Sequence, residues 1–308
     1  MIGQVDNSGT GIALSIAVAV QGAQDNLPAI LAALPATPGV EVLICHADDE
    51  PVAAHLLDSR PDVRVVPGRA GALIPEMWRD GFVAAQGAWV ATLTAHCPPS
   101  PGWLSRALDL TTTEATQDHA AFGGAIVAEK HPDRVSRAIH LLRYADADRV
   151  HARRRVSDLS ADNALYRRSE VMKCADLLPD GFWEPGYHAR FVAAGLTLEV
   201  IPDLIVTHCN RYTAAEFRTQ RRRHGRVFGR HRSEHRPKLA RWAMFLLSPA
   251  AFPVFAFKQT RKVLSRPPLR VGFLASALPF YGFIASWCLG EARGYADALR
   301  GPSSGSKR

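Results

Sequence analysis

Cysteine is scarce in this sequence and never closely paired. The five cysteines, at 45, 97, 174, 209 and 288, include no C-x-x-C spacing. An odd, scattered set supports neither a disulfide framework nor a C-x-x-C zinc module, and it fits a reducing, cytoplasmic setting. No G-x-G-x-x-G or G-x-x-x-x-G-K-[ST] loop occurs, so dinucleotide and P-loop chemistry have little support. No internal repeat is visible. No charged start, apolar run and small-residue cleavage site opens the chain, so the apolar run Ile12 to Val20 is expected to be a first strand rather than a signal peptide. Against these absences, 47% of the 308 residues are hydrophobic and 21% charged. That composition buries a sizeable core and excludes a secreted cystine scaffold, a collagenous chain and a largely disordered one.

Acid is nearly missing from one stretch. Between Arg218 and Arg241 there are nine arginines and one lysine against a single acid, Glu234, which accounts for about the whole net charge of +8. Such a run attracts phosphates, whether on nucleic acid, anionic lipid or a nucleotide or lipid-phosphate substrate. The segments beyond it decide among these. Trp242 to Phe257 carries no charge, and Val271 to Gly290 is a second uncharged stretch. A basic run flanking apolar segments is the pattern of a cytoplasmic membrane-surface anchor. Twenty residues just suffice to cross a bilayer, but Ser276, Pro279, Tyr281, Gly282 and Ser286 argue for in-plane or re-entrant association over a simple span. Burial of both segments as core helices is the alternative. No recognised nucleic-acid reader motif is present, so no nucleic-acid partner is expected.

The first two hundred residues alternate strand and helix. Apolar runs at Gly11–Val20, Val40–Cys45, Val63–Val66, Ala88–Leu93 and Ala121–Ala128 are separated by helix-like stretches, among them Ala70–Gln86. This rhythm predicts an α/β fold with a mostly parallel sheet and helices on both faces. Ligands on such sheets bind outside the carboxyl ends of the strands, which directs attention to the loops at 46–50 and 94–99.

The order of features resembles that of the family 2 glycosyltransferases of GT-A fold, in their membrane-associated bacterial form, over about residues 11 to 232. Ser15-Ile16-Ala17-Val18-Ala19-Val20 with Asn26-Leu27 is similar to the family's first strand and base-holding loop. Val42 to Asp49 stands where a strand usually ends in Asp-Asp-Gly-Ser. Gly87-Ala88-Trp89-Val90 through Pro101-Gly102-Trp103-Leu104 resembles the strand, metal loop and exit. Asp162-Asn163-Ala164-Leu165-Tyr166-Arg167-Arg168 resembles the acceptor-side strand. Phe182-Trp183-Glu184 through Gly195 resembles the helix with the catalytic acid. Gln220-Arg221-Arg222-Arg223-His224-Gly225-Arg226 stands where the family has a Gln/Arg-rich helix near the diphosphate.

The resemblance implies roles for particular residues. An inverting transfer needs a base to deprotonate the acceptor hydroxyl. Glu184 is the candidate, with His188 one helical turn later to orient it or touch the acceptor; a helix N-terminal acid without chemistry is the alternative. Gln21, Asn26, Asp48, Asp49, Arg79, Asp162 and Asn163 are the candidates for the nucleotide sugar, and Gln220, Arg221, Arg222, Arg223 and Arg226 for the diphosphate. Trp103 is expected to plug the core. The sequence departs from the family at the metal loop, which reads Thr94-Ala95-His96 and holds no carboxylate. Three possibilities remain: His96 and His208 bind a divalent metal (Mg or Mn), arginines replace the metal, or the site is impaired.

The expected layout is a GT-A (Rossmann-like) nucleotide-sugar-binding and catalytic domain over 1–210, a basic helix over 211–241, apolar helical membrane-associated segments over 242–300 and a disordered tail over 301–308. The expected function is transfer of sugar from a nucleotide-diphosphate donor to a lipid-linked or polysaccharide (glycan) acceptor at the cytoplasmic face of the inner (plasma) membrane, in cell-envelope polysaccharide biosynthesis. The alternative is a catalytically impaired GT-A scaffold.

Overall fold

The computed structural model describes residues 11–58, 60–148, 150–234 and 236–300. The tail expected at 301–308 lies outside them. Two compact units are present, one running to Glu129 and resuming over Ala147–Asn210, the other made of Lys130–Asp146 and the chain from Arg211.

The first unit is built on one eight-stranded sheet of order β3-β2-β1-β4-β7-β5-β8-β6. Its strands are β1 (Leu14–Val20), β2 (Val40–Ala47), β3 (Val63–Gly68), β4 (Trp89–Thr94), β5 (His119–Ala128), β6 (Arg154–Val156), β7 (Asn163–Arg167) and β8 (Thr197–His208). The four strands from β3 to β4 are mutually parallel; β7 runs antiparallel between β4 and β5, and β8 is parallel to β5. Every residue of β1 and of β4 is buried. That explains their mostly apolar runs, interrupted by Ser15 in β1 and by Thr92 and Thr94 in β4, because strands covered on both faces lose the alternation of a half-exposed sheet.

Helices α1 (Leu27–Ala33), α2 (Ile74–Ala84), α3 (Trp103–Asp109), α5 (Arg168–Lys173) and α6 (Glu184–Ala193) flank this sheet. The helix expected over 70–86 starts only at Ile74, because Gly71 takes a positive φ of 65° and Leu73 is extended, with Pro75 in the first turn. Gly81 lets α2 press onto the sheet: a Cβ there would lie 2.7 Å from Ala17 Cβ and 3.2 Å from Cys45 Sγ. Phe82, Tyr166, Phe182 and Tyr187 stack beneath α2 and α6, with ring centroids 4.5–4.9 Å apart across Phe182 for Phe82, Tyr166 and Tyr187.

The second unit is helical: α4 (Arg134–Tyr144), α7 (Ala214–Glu234), α8 (Lys238–Leu247), α9 (Ala251–Leu264), α10 (Pro267–Arg270) and α11 (Phe273–Arg300). The basic run thus divides between α7 and α8. Its core joins Ile139 and Leu142 of α4 to Phe217, Phe280, Phe283 and Ile284. Residues 130–146 belong to this unit, and the change of unit falls within the polar run Glu129-Lys130-His131-Pro132-Asp133-Arg134 that follows β5. Two apolar helical stretches, Lys238–Leu264 and Phe273–Arg300, are long enough to cross a membrane.

Candidate active site at the carboxyl edge of the sheet

The parallel strands bring the ends of β1, β2, β4 and β8, and the start of β7, to one edge. The loops there are sewn together. The Asn26 side-chain amide donates to Ala95 O at 2.8 Å and to Cys209 O at 3.1 Å. Cys209 N donates to His96 O at 2.8 Å, and His96 Nε2 lies 2.9 Å from Gln21 O. Gln21, Asn26, His96 and His208, four candidates spread over nearly two hundred positions, are therefore buried on adjoining segments. Asn26 acts first as a latch: both its amide hydrogens are engaged, so only its carbonyl oxygen is left for a nucleotide base.

The neighbouring acids hold different stations. Asp162, just before β7, accepts from Thr94 Oγ1 at 3.2 Å and from Ser160 Oγ at 3.3 Å. Asp48 is exposed at the end of β2. Asp49 Oδ1 accepts from Gly71 N at 2.5 Å and thereby braces the turn ahead of α2. Arg79 is held by Asp80 at 2.7 Å and by Pro179 O at 3.2 Å.

Asn163 requires a correction. It is fully buried, its Oδ1 accepts from Trp103 Nε1 at 2.9 Å, and its amide donates to Ala125 O and Leu204 O at 3.0 and 2.9 Å. Both amide hydrogens face carbonyls inside the sheet, so Asn163 ties β7 to its neighbours rather than binding sugar hydroxyls. Trp103 has the core position expected of it.

Glu184 is the first residue of α6, where the helix dipole favours an anion. Four residues on, His188 is buried between two partners. Its Nδ1 is 2.6 Å from Asp158 Oδ1 and its Nε2 is 3.0 Å from the Tyr166 hydroxyl. Burial pushes the Tyr166 phenol well above its ordinary range, and the charges of Glu184, Asp158 and Asp162 add to that. The phenol stays protonated and donates to His188 Nε2, which leaves Nδ1–H to donate to Asp158. Both ring nitrogens are engaged, which corrects the expectation that His188 contacts an acceptor. Sequence reasoning passes over Asp158, because a lone acid in a polar loop four residues before Asp162 carries no spacing signal of its own.

Among the described residues no three His, Cys, Asp or Glu side chains converge. His96 Nε2 faces a carbonyl and so carries the proton there, which makes Nδ1 the lone-pair nitrogen of that ring. His96 and His208 sit on adjoining segments, and a carboxylate that reaches this loop is that of Asp162, which accepts from Thr94.

Of the candidate diphosphate residues, all lie on α7. The Arg221 guanidinium is stacked 4.2 Å over the Trp287 ring, and its Nε is buried without a hydrogen-bond partner. Burial, with Arg143 adding repulsion, lowers its pKa to about 9. Arg221 is thus a packing residue of its own unit, a correction to its expected place on a phosphate. Arg226 pairs with Asp297 at 2.5 Å, and Gln220 donates to the Tyr212 hydroxyl at 3.2 Å. Arg222 and Arg223 are exposed.

No protein-family model and no curated protein sequence matches the chain. Among solved structures it is similar to the mannosyltransferase PcManGT from Pyrobaculum calidifontis, solved in complex with GDP-Man and Mn2+. The identity is 12% and the TM-score 0.50, over 90% of this chain and 86% of that one. A mycobacterial protein of known structure aligns at 15% identity and a TM-score of 0.44, over 71% of this chain and 73% of that chain. The likeness to the mannosyltransferase is one of fold. With the sheet order described, it places the chain's architecture in the GT-A class, an eight-stranded, mostly parallel sheet flanked by helices, followed by apolar C-terminal helices.

Proposed function

We propose that the chain is an inverting glycosyltransferase that moves a sugar from a nucleotide-diphosphate donor to a lipid-linked or glycan acceptor at the cytoplasmic face of the membrane. The observation that carries this is the position of Glu184, a carboxylate at a helix N-terminus beside the Asp158–His188–Tyr166 chain. The GT-A fold, and a solved relative of that fold bound to GDP-Man, support the same class of donor.

In this mechanism Glu184 takes the proton of the acceptor hydroxyl as its oxygen attacks the anomeric carbon. The bond from that carbon to the diphosphate oxygen breaks, and the nucleoside diphosphate leaves with the electron pair. Asp48 and the side-chain carbonyl of Asn26 are the candidates for ribose and base, and Asp162 for a sugar hydroxyl. The leaving diphosphate needs positive charge. The Thr94-Ala95-His96 loop itself carries no carboxylate, and an arginine guanidinium is chemically suited to that task without a metal. The apolar helices following α7 support an acceptor met at the bilayer surface.

The test is release of nucleoside diphosphate from a panel of nucleotide sugars, with protein in native membranes. Wild type and Glu184→Gln are compared, with and without chelator. Release by wild type that survives chelator and drops about 10²- to 10⁴-fold in Glu184→Gln is expected. A folded protein that releases nothing from any donor favours the second reading, a scaffold with a retired site, for which the carboxylate-free Thr94-Ala95-His96 loop is the specific argument.

A further inference from the structure

The second unit contains a close helix pair built on the spacing of small residues. Gly225 and Gly229 on α7 stand four apart, as do Gly290 and Gly294 on α11. A Cβ at Gly225 would lie 2.3 Å from Trp287 O, and one at Gly229 2.4 Å from Glu291 O. In return, a Cβ at Gly290 or at Gly294 would lie 2.2 Å from the carbonyl oxygen of Arg222 or Arg226. Each helix therefore needs the other's glycines for its backbone to come so close, the logic of small-residue helix packing. The register rises together, from Phe217 against Phe283 to Arg232 against Glu291, so α7 and α11 run parallel. The rod formed by α8 and α9 runs back beside α11, with Arg241 Nη1 on Ala298 O at 2.9 Å and Thr260 Oγ1 on the Tyr281 hydroxyl at 2.8 Å.

This arrangement decides what the two apolar stretches do. Were α11 to cross a bilayer, α7 would cross beside it, carrying Arg218, Arg222, Arg223 and Arg226 into hydrocarbon, where arginine is costly. The α8–α9 rod differs. None of its most apolar stretch is buried, and Leu239, Leu246, Leu247, Val254 and Phe257 are each more than half exposed. From Arg236 to Arg270 there are eight Lys and Arg and no Asp or Glu, and Lys238, Lys258 and Arg261 are exposed along the rod. At its far end Lys262 and Arg266 pair with Asp146, and the cations left to meet a surface include Lys238, Lys258 and Arg261. An apolar face rimmed by these, with Trp242 partly exposed on it, complements an anionic lipid surface.

We propose that the rod from Lys238 to Leu264 lies in the plane of an anionic membrane as the lipid-contacting face of the chain, and that α11, despite its length, does not cross. This rests on the reading of a membrane-surface enzyme and names the element that makes the contact.

The test uses the full chain with vesicles of phosphatidylcholine, alone or with phosphatidylglycerol. Flotation with the anionic vesicles should exceed that with neutral ones, and the double variant Leu246→Asp, Phe257→Asp should lower binding at least about tenfold. Pro237→Cys and Ser265→Cys, at the two ends of the rod, should react equally with a membrane-impermeant maleimide on intact vesicles, measured above the wild-type background. A Ser265→Cys thiol protected until detergent is added would mean a span, and unchanged binding by the double variant would mean another contact surface; either overturns the proposal. The labelling result does not depend on whether the double variant folds. Donor turnover in solution is followed in parallel, and its absence counts against the transferase reading alone.

Discussion

His188 donates from Nδ1 to Asp158 across 2.6 Å, although the imidazole is buried and the carboxylate is 65% exposed. A solvent-facing acid thus fixes the tautomer of a buried ring, whose other nitrogen accepts from Tyr166 at 3.0 Å. The arrangement is asymmetric, and so is the expected cost of breaking it. Asp158→Asn keeps a polar partner in water and should cost about 1 kcal/mol, or about 2–4 °C in Tm. His188→Ala strands the buried Tyr166 hydroxyl and should cost about 2–4 kcal/mol including the cavity. If the chain serves Glu184, Asp158→Asn also shifts the pH profile of turnover; an unshifted profile with lowered Tm would leave the chain a packing device only.

The glycine pairs of α7 and α11 give a prediction with its own control. Gly225→Ala or Gly290→Ala puts a methyl against backbone oxygen at 2.3 or 2.2 Å, where nothing flexible can yield. Either variant should part the two helices and lower Tm sharply or abolish soluble folding. Gly282 lies on the same helix, but its Cβ would meet only the Arg218 side chain, at 3.7 Å. Gly282→Ala should be neutral or stabilise by up to about 1 kcal/mol through helix propensity. Equal effects at Gly225 and Gly282 would refute the close packing.

Features that repeat along the chain are legible in the sequence. Buried parallel strands announce themselves as apolar runs, so β1, β2, β4 and β5 are visible to within a few residues, and so is the edge where their loops gather. Roles that depend on which side chain faces which carbonyl are not visible. Asn163 and Asp162 look alike as a polar pair, yet one faces into the sheet and the other accepts from Thr94. Asp158 becomes notable only because β7 and α6 bring Tyr166 and His188 to it. The glycines of α7 are masked by their arginine neighbours, since a basic run draws attention to charge when the spacing of the small residues sets the packing.

Arg221 offers a test of the packing role against a phosphate role. It is stacked on Trp287, which contributes about 0.5–2 kcal/mol, but its Nε is shut off from water and unpartnered. An unpaired buried polar group costs more than that stacking returns. Arg221→Met keeps the contact with the ring and removes the charge, so Tm should rise by a few degrees. A fall in Tm that appears only when phosphate or nucleoside diphosphate is present would show that the guanidinium serves an anion instead.

The far end of the sheet adds a small acid-sensitive contribution to the stability of the fold. Arg153 lies 2.7 Å from Glu199 and also pairs with Glu114, which Arg106 holds from the other side. The Arg153 guanidinium holds the Glu199 carboxyl below its ordinary value of 4.5, and Arg106 does the same for Glu114, with Arg153 adding to it. A carboxylate whose pKa is lower in the folded chain binds fewer protons there than when unfolded. Its stabilisation is therefore complete above about pH 4.5 and is lost as pH falls through the depressed folded values. Both pairs are partly solvated, so the sum should be about 1 kcal/mol rather than the several a buried pair would give. Thermal melts of wild type and Arg153→Met should differ near pH 7 and converge near about pH 3. A difference that persists undiminished at the acid end would mean that Arg153 acts through the packing of its aliphatic stem and not through its charge.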